Sequence, residues 1–265
     1  MKEKDLILSE ILNCTPIDLY TKEFDLSFDQ QQRLDTILEK RSQGVPLQHL
    51  LGRIDFYGLP FMVKEGVFIP RFETEILVEK VIALIDGWDN AKPLNILDVC
   101  SGTGNISIAL ARNTKNTHIT AIDINTKAIR LSQENASLNN VQDKTVFLSK
   151  DIFKLQCFNK SFDVIVSNPP YLKDKDLSIL SPEVLHDPKE SIFAGDGFRF
   201  FRQILSIASS FLKNEAWIVF EIGHDQAEEL KEITFLNKAF TLEEIIKDYN
   251  GFDRVAVIRY RKKNG

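Results

Sequence analysis

The sequence predicts an α/β protein: a doubly wound, mostly parallel sheet preceded by a small helical domain and a β-hairpin linker. From residue 95 onward, short buried-strand patterns alternate with helical patterns, which is typical of a parallel sheet. Residues 1–43 carry helical patterns instead, and the next segment is rich in β-forming residues broken by glycine and proline. The length of 265 residues allows one large core and a second, smaller domain.

The sequence pattern of the N-terminal part predicts helices followed by strands. One helix is expected in KEKDLILSEILNC, and another is expected to start at a Ser27 cap and to end at Gly44. Glycines and a proline interrupt the next stretch, LQHLLGRIDFYGLPFMVKEGVFIP, which therefore predicts β-hairpins. The stretch RFETEILVEKVIALIDG returns to a helical pattern that ends at Gly87.

The remaining chain predicts a Rossmann-like domain with five strands before its C-terminal segment. These strands are, in order, NILDVC, HITAIDI, TVFLSK, FDVIVS and AWIVFEI. Helices are expected between the early strands, in NISIALARN and TKAIRLSQENASLNN. At the end, TLEEIIKDY and RVAVIRY flank the turn NGFD, which predicts two tightly joined strands and an antiparallel strand at the sheet edge. We therefore expect the helical domain and its hairpin linker in residues 1–70, and the sheet domain in residues 71–265.

Composition disfavours several functional classes. Apolar residues make up 43% and charged residues 27%, as in ordinary globular proteins, and the net charge of −5 disfavours nucleic acid as a substrate. The three cysteines and four histidines are scattered, so neither a disulfide framework nor a metal site is expected. The N-terminal MKEKDLILSE lacks the apolar region of a signal peptide, and no apolar run has the length of a membrane helix. We therefore expect a cytoplasmic protein with no membrane partner.

A glycine loop follows the first predicted strand, in LDVCSGTGNISIAL. Gly102 and Gly104 allow a sharp turn and close approach of a ligand to the backbone, and the loop opens a helix whose amides face the same place. Asp123 ends the next strand, where a carboxylate can accept hydrogen bonds from both hydroxyls of a ribose. The alternative is that these glycines serve a tight strand-to-helix turn and bind nothing.

The residues around this loop favour one nucleoside ligand over others. Position 107 is Ser, where a dinucleotide-binding loop has Gly or Ala, and the Gly-Lys-Ser/Thr of a phosphate-binding loop is absent. Asp98 would repel a pyrophosphate and suits a cation. S-adenosyl-L-methionine carries a sulfonium, an ammonium and a ribose but no phosphate, so it fits. After the third strand, Asp151 could hydrogen-bond the adenine and Ile152 could pack against it, although an ordinary strand-end loop would look the same.

The fourth strand ends in Asn-Pro-Pro-Tyr, at the edge of the sheet where ligands of parallel sheets bind. A planar amide or aromatic amine is a poor nucleophile, and two acceptors for its N–H groups would help it react. The Asn168 side-chain oxygen and the Pro169 carbonyl are suitable acceptors, and the prolines restrict the backbone that holds them. Tyr171 offers a flat face to a planar group. The alternative is a Pro-Pro turn that ends a strand.

Several segments together carry a family resemblance. They are GVPLQHLLGRIDFYGLPFMV, VFIPRFETEILVE, ILDVCSGTGNISIAL, AIDIN, FDVIVSNPPYL, DPKESIFAGDGFRFFRQIL and FEIGHDQ. With these segments the chain resembles the PrmC/HemK family of protein-(glutamine) methyltransferases, which modify the Gly-Gly-Gln motif of peptide chain release factors. The resemblance implies a class I methyltransferase fold, S-adenosyl-L-methionine as cofactor and a release factor as protein partner. It also implies that residues 1–70 contact the release factor.

The resemblance assigns site residues by position. It places the cofactor on Cys100, Ser101, Gly102, Thr103, Gly104, Asp123, Ile152 and Asn168. It places the acceptor glutamine on Asn168, Pro169, Pro170 and Tyr171, with Asn168, Pro169 and Tyr171 in the catalytic role. Three positions depart from the family pattern: Cys100 stands where Gly is frequent, Ile152 where an aromatic residue is frequent, and Asp187 where Glu-Pro is usual.

Some alternatives stay open at this point. Arg71, Thr74 and Glu75 lie in PRFETE, which is either a helix start or a direct contributor near the acceptor. An adenine-N6 nucleic-acid methyltransferase would use the same Asn-Pro-Pro-Tyr but predicts a basic groove or an inserted recognition region. A non-catalytic binding protein with this fold would be expected to have lost Asp123 or Asn168, and both are present.

Overall fold

The structure is a computed structural model that describes residues 2–88, 92–156 and 158–262, with the backbone alone at position 179. Its N-terminal part consists of four helices: α1 (Glu3–Leu12), α2 (Asp18–Thr21), α3 (Phe28–Ser42) and α4 (Leu47–Leu51). The predicted cap of α3 is confirmed, because the Gln30 amide donates to Ser27 Oγ (3.3 Å) and the Ser27 amide donates to Gln30 Oε1 (2.9 Å). These helices enclose a small core of their own, formed by Ile7, Ile11, Leu34 and Ile37.

A single hairpin follows, formed by β1 (Arg53–Phe56) and β2 (Leu59–Met62). The prediction of strands was wrong for the start of this region, because LQHLL forms α4. Its leucines recur at helical spacing and pack on the N-terminal core, and Gly52, at φ 74°, ends the helix by donating to the Gln48 carbonyl (2.8 Å). The hairpin itself packs into the core of the sheet domain through Phe56 and Phe61.

Helix α5 (Thr74–Asp86) ends before Gly87, as predicted, and leads into a seven-stranded sheet. The strands are β3 (Leu94–Val99), β4 (Thr117–Asp123), β5 (Thr145–Ser149), β6 (Phe162–Ser167), β7 (Leu212–Glu221), β8 (Phe240–Lys247) and β9 (Asp253–Arg261). Their spatial order is β5-β4-β3-β6-β7-β9-β8. Strands β3 to β7 pair in parallel, and β9 pairs antiparallel with both β7 and β8. The predicted parallel sheet with an antiparallel edge strand is thereby confirmed.

Helices cover both faces of the sheet. They are α6 (Asn105–Asn113), α7 (Thr126–Leu138), α8 (Lys189–Ile192), α9 (Arg199–Ala208) and α10 (Ala227–Phe235), together with the 3₁₀ turns Asp174–Ile179 and Val184–His186. One face carries the hairpin, α5, α6 and α7 over one apolar core, and the other carries α9 and α10 over a second. No helix among the described residues is long and apolar enough to cross a membrane.

The sheet places the candidate site residues at one edge. Val99 on β3 is in register with Ile122 on β4 and with Ser167 on β6, so these three strands end side by side. The chain order reverses between β3 and β6, which is the switch point where open parallel sheets bind ligands. The loops after β3, β4 and β6 are therefore neighbours.

Candidate active site

The loop after β3 turns through three residues with positive φ: Cys100 at 63°, Gly102 at 53° and Gly104 at 80°. Gly104 caps α6, and a Cβ there would lie 2.8 Å from Ser132 Cβ and 3.1 Å from Phe147, so a larger residue would force these neighbours to move. Cys100 adopts a backbone conformation that favours glycine, and burial raises the pKa of its thiol, so the thiol stays neutral. The sequence thus forms the tight turn that a close backbone approach to a ligand requires.

Asp123 at the end of β4 holds this loop in place. Its Oδ2 accepts a hydrogen bond from the Gly102 amide and its Oδ1 accepts one from the Asn125 amide, both at 2.8 Å. Burial raises the pKa of this carboxyl, and the amide donors oppose that rise. Each carboxylate oxygen has a second lone pair, so Asp123 can still accept hydrogen bonds from ligand hydroxyls.

Asp98 and Ser101 carry buried polar atoms that lack partners among the described residues. Asp98 Oδ2 accepts a hydrogen bond from Ser107 Oγ (2.6 Å), whereas Asp98 Oδ1 and Ser101 Oγ have no partner there. Burial, with a smaller contribution from the charge of Asp123, raises the pKa of Asp98 to about 7. Unpaired buried acceptors are costly unless a ligand satisfies them, and a cation beside Asp98 would do so.

These loops enclose a cavity of about 190 Å³. The predicted site residues that line it are Cys100, Ser101, Gly102, Asp123, Asp151, Ile152, Asn168 and Pro170. The predicted residues outside the lining are Asp98, Thr103, Gly104, Pro169 and Tyr171. Thr103 and Gly104 support the loop from beneath, since the Thr103 carbonyl accepts from Asn135 on α7 and Gly104 packs on Ser132. Most of the predicted cofactor residues, together with Asn168 and Pro170 of the acceptor motif, thus line one cavity.

One end of the cavity has an aromatic wall that sequence reasoning missed. Ile152 is buried, and the lining also includes Phe153 and Phe200, whose rings meet edge to face at 5.1 Å. The Asp151 Oδ1 atom accepts from the Phe153 amide (2.9 Å), so this carboxylate also shapes the loop. Phe153 could have been considered because it adjoins Ile152, but Phe200 comes from α9 and has no local signal.

The Asn168 side chain lies just after β6 and takes part in a buried hydrogen-bond network. Its Nδ2 donates to Thr74 Oγ1 (3.2 Å), Thr74 Oγ1 donates to Glu221 Oε2 (2.6 Å), and the Tyr171 hydroxyl donates to Glu221 Oε1 (3.1 Å). Glu221 was absent from the predicted site. A carboxylate at the end of β7, beside the end of β6, was the signal that could have identified it.

The groups around this network shift the pKa of Glu221 and of Tyr171. Burial raises the pKa of Glu221, whereas the Arg254 guanidinium nearby favours its charged form. Burial and the charge of Glu221 also raise the pKa of Tyr171, so its hydroxyl keeps its proton and donates. Arg254 donates to Asp248 Oδ2 (3.1 Å) and to the Ile222 carbonyl (3.4 Å), which fix its position.

The other residues of PRFETE connect segments around the site. Arg71 forms an ion pair with Asp187 Oδ2, and Asp187 Oδ1 accepts from the Ile69 amide (3.2 Å). The Glu75 carboxylate accepts from the Tyr57 amide at 2.7 Å. Arg71 and Glu75 thus tie the loop beyond Tyr171 and the hairpin to the start of α5, while Thr74 contacts Asn168 directly.

Three features define a class I S-adenosyl-L-methionine-dependent methyltransferase. They are the glycine loop after β3, Asp123 at the end of β4 and the Asn-Pro-Pro-Tyr motif after β6. Residues 72–193 match the family model "Methyltransferase small domain", and residues 2–52 match "PrmC N-terminal domain". Curated relatives named for the methylation of release factor glutamines are 36–38% identical to nearly the whole chain. The chain therefore belongs to the release factor glutamine methyltransferase family.

Several curated relatives carry the name "Release factor glutamine methyltransferase". The one from Fusobacterium nucleatum is 38% identical over 97% of this chain and 72% of its own length. The one from Thermodesulfovibrio yellowstonii is 36% identical over 99% of this chain and 93% of its own length. A solved SAM-dependent methyltransferase from Agrobacterium tumefaciens has the same fold, with a TM-score of 0.51 at 17% identity over 80% of this chain and 70% of that one. The predicted class, family and cofactor are confirmed.

Proposed function

We propose that this protein transfers a methyl group from S-adenosyl-L-methionine to the side-chain amide nitrogen of the glutamine in the Gly-Gly-Gln motif of peptide chain release factors. The observation that carries the proposal is the Asn168 amide at the cavity lining, whose nitrogen is engaged by Thr74 so that its oxygen is left to accept. The curated relatives named for this activity support it.

The residues around the cavity suit the cofactor, which when bound supplies an electrophilic methyl on a sulfonium. We assign the ribose to Asp123 and the close backbone approach to Cys100, Ser101 and Gly102, with Thr103 and Gly104 supporting them from beneath. The unpaired oxygens of Asp98 and Ser101 suit its cationic and polar groups. The remaining contacts, to adenine, come from Asp151, Ile152, Phe153 and Phe200.

The acceptor amide needs help because its nitrogen lone pair is delocalised. Asn168 Oδ1 and the Pro169 carbonyl would accept its two N–H groups, which turns the nitrogen toward the cavity and favours the lone pair's reaction. Pro169 and Pro170 restrict the backbone that carries these two acceptors. The Tyr171 ring is held in place by the hydrogen bond from its hydroxyl to Glu221. The rate gain then comes from positioning of the acceptor amide, without a side-chain base.

We further propose that residues 1–70 recognise the release factor and that nucleic acid is not a substrate. The helical domain has its own core and exposes Ile17 and Phe28 at 73% and 83%. Exposed apolar side chains on a small domain are candidates for protein contact. The net charge of −5 opposes tracking of a nucleic-acid backbone.

Transfer of a labelled methyl group from S-adenosyl-L-methionine tests the function. We expect label on a purified release factor and none on the same factor with Gln→Ala in its Gly-Gly-Gln motif. Parallel reactions contain DNA or RNA in place of the factor and should stay unlabelled. Label that persists in the Gln→Ala factor, or that enters nucleic acid instead, would contradict the proposal.

A further inference from the structure

A continuous hydrogen-bonded path runs behind the acceptor site. It joins Asn168 after β6 to Thr74 at the start of α5 (3.2 Å), and Thr74 to Glu221 at the end of β7 (2.6 Å). Tyr171 donates to the other oxygen of Glu221 at 3.1 Å. Thr74 and Glu221 are each 1% exposed, so water does not compete for these bonds.

The direction of each bond follows from the donors available. The Thr74 hydroxyl has a single proton, and it donates that proton to Glu221 Oε2 at 2.6 Å. The Thr74 oxygen can then only accept from Asn168, and the group that donates is the Asn168 NH₂. The Asn168 side-chain oxygen is therefore at the end of the amide that points away from Thr74. The two ends of an asparagine amide have nearly the same shape, so packing alone would not choose between them.

We propose that Glu221 is a positioning residue: acting through Thr74, it fixes the Asn168 amide with its oxygen toward the acceptor, and it fixes the Tyr171 ring directly. In the flipped orientation, the Asn168 NH₂ group would point at the N–H groups of the substrate. Two donors would then face each other, and no hydrogen bond could form between them. This inference rests on the proposed function, because the acceptor must carry N–H groups for the orientation to matter.

The charge of Glu221 decides which group donates in each hydrogen bond of the path. Burial raises its pKa, and the ionisable groups that face it are Glu73 at the start of α5, Tyr171 after β6 and Arg254 on β9. Arg254 favours the carboxylate and Glu73 opposes it. A neutral Glu221 could donate to Thr74, which would allow the Thr74 hydroxyl to donate to Asn168 and admit the flipped amide.

Substitutions at Thr74 separate the hydroxyl from its packing. Thr74→Val keeps the shape and removes the hydroxyl, and we expect kcat to fall about tenfold or more while the cofactor Kd changes less than about threefold. Thr74→Ser restores the hydroxyl and should restore kcat. Thr234→Val is the matched control, since Thr234 is equally buried but bonds within α10. Unchanged kcat in Thr74→Val, or no recovery in Thr74→Ser, would overturn the proposal.

A double-mutant cycle distinguishes positioning from a general loss of structure. If Thr74 acts through Asn168, adding Thr74→Val to Asn168→Ala should lower kcat by less than about twofold. The same fold-loss from Thr74→Val in both backgrounds would show that Thr74 acts independently of Asn168, and the inference would fail. Thermal unfolding midpoints of all variants identify any that lose kcat through loss of folding.

Amide NMR tests the path without any methyl acceptor. The ¹H–¹⁵N side-chain signals of Asn168, identified by their loss in Asn168→Ala, should shift in Thr74→Val and in Glu221→Gln but stay in place in Thr234→Val. Signals that do not move in Thr74→Val would overturn the inference whatever the substrate. If the signals move as expected but wild-type protein labels no release factor, the proposed function fails and the orientation of Asn168 stands.

Discussion

Gly102 and Gly104 both have positive φ, but the space around them differs. A Cβ on Gly104 would lie 2.8 Å from Ser132 Cβ, whereas a Cβ on Gly102 would meet no atom within 4 Å. Both alanine variants carry the cost of a left-handed backbone, about 1–2 kcal/mol, and Gly104→Ala adds an overpacking cost of about 1–3 kcal/mol. Denaturant unfolding without cofactor should therefore rank Gly104→Ala as clearly less stable than Gly102→Ala. Equal losses would show that α7 yields to the added methyl group.

Asp98 couples the stability of the cofactor-free protein to pH. Its pKa is raised from the model-peptide value of 3.8 to about 7, so between these values the folded protein binds a proton that the unfolded chain has released. The contribution of Asp98 to the free energy of unfolding is therefore greatest below pH 4 and is lost as pH rises to about 7. Asp98→Asn should flatten the pH dependence of unfolding in this window. A variant with the wild-type profile would show that Asp98 does not titrate there.

The same residue predicts proton release on cofactor binding. A cationic ligand favours the carboxylate form of Asp98, so below pH 7 the binding reaction should release a proton and affinity should rise with pH. Calorimetric titrations in two buffers of different ionisation enthalpy measure this release, and Asp98→Asn is the control that should abolish it. Equal release from wild type and Asp98→Asn would assign the proton to another group.

At the scale of elements, one asparagine connects the hairpin, α7 and the cofactor loop. Asn135 is fully buried, its Oδ1 accepts from the Met62 amide (2.8 Å), and its Nδ2 donates to the carbonyls of Met62 and Thr103 (both 3.1 Å). Asn135→Ala leaves buried backbone groups unpaired and should lower the free energy of unfolding by about 3 kcal/mol. It should also weaken cofactor binding, because Thr103 supports the loop.

Asn113→Ala is the matched control for this prediction. Asn113 lies on α6, is exposed, and donates within its own helix to the Ala109 carbonyl at 2.8 Å. We expect its unfolding free energy to change by less than about 0.5 kcal/mol. Similar losses in the two variants, or unchanged cofactor affinity in Asn135→Ala, would mean that the hairpin contributes nothing to the loop.

The elements differ in how far the sequence predicts them. The parallel strands were predictable because each is a short apolar run and the first of them alternate with helical segments, and the Asn-Pro-Pro-Tyr motif lies at the end of one of them. The segment that forms α4 was missed because its helical spacing spans only five residues among glycines and β-forming residues, and its packing on the N-terminal core is visible only in the folded chain. Thr74 and Glu221 meet Asn168 across long sequence separations, and the burial that makes Glu221 effective exists only in the folded chain.

At the scale of the whole molecule, the N-terminal helices are attached to the loop that follows the acceptor motif. Arg41 on α3 pairs with Glu3 on α1 (2.7 Å) and also with Glu183, just before the 3₁₀ turn Val184–His186. Asp187 at the end of that turn pairs with Arg71. The segment after the acceptor motif is therefore tied by ion pairs to the helical domain at Glu183 and to the residues just before α5 at Asp187.

The proposed recognition role of the helical domain predicts a difference between large and small substrates. Ile17 and Phe28 are 73% and 83% exposed, and aspartate at both positions should disrupt an apolar contact with an intact release factor. We expect kcat/KM for the intact factor to fall about tenfold or more. Turnover of a short peptide that contains Gly-Gly-Gln should stay unchanged, because the peptide reaches the acceptor site without touching the domain. Tyr20 is left intact because its hydroxyl bonds to Asp5.

A control pair of equal exposure lies elsewhere on the surface. Phe235 and Leu236, at the end of α10, are 84% and 85% exposed, so aspartate at both positions makes the same chemical change away from the helical domain. This variant should methylate the intact factor and the peptide at wild-type rates. If it loses activity on the intact factor as strongly as the Ile17→Asp/Phe28→Asp variant, the effect comes from surface charge. If the latter variant loses activity equally on factor and peptide, the helical domain supports the catalytic site and does not select the protein substrate.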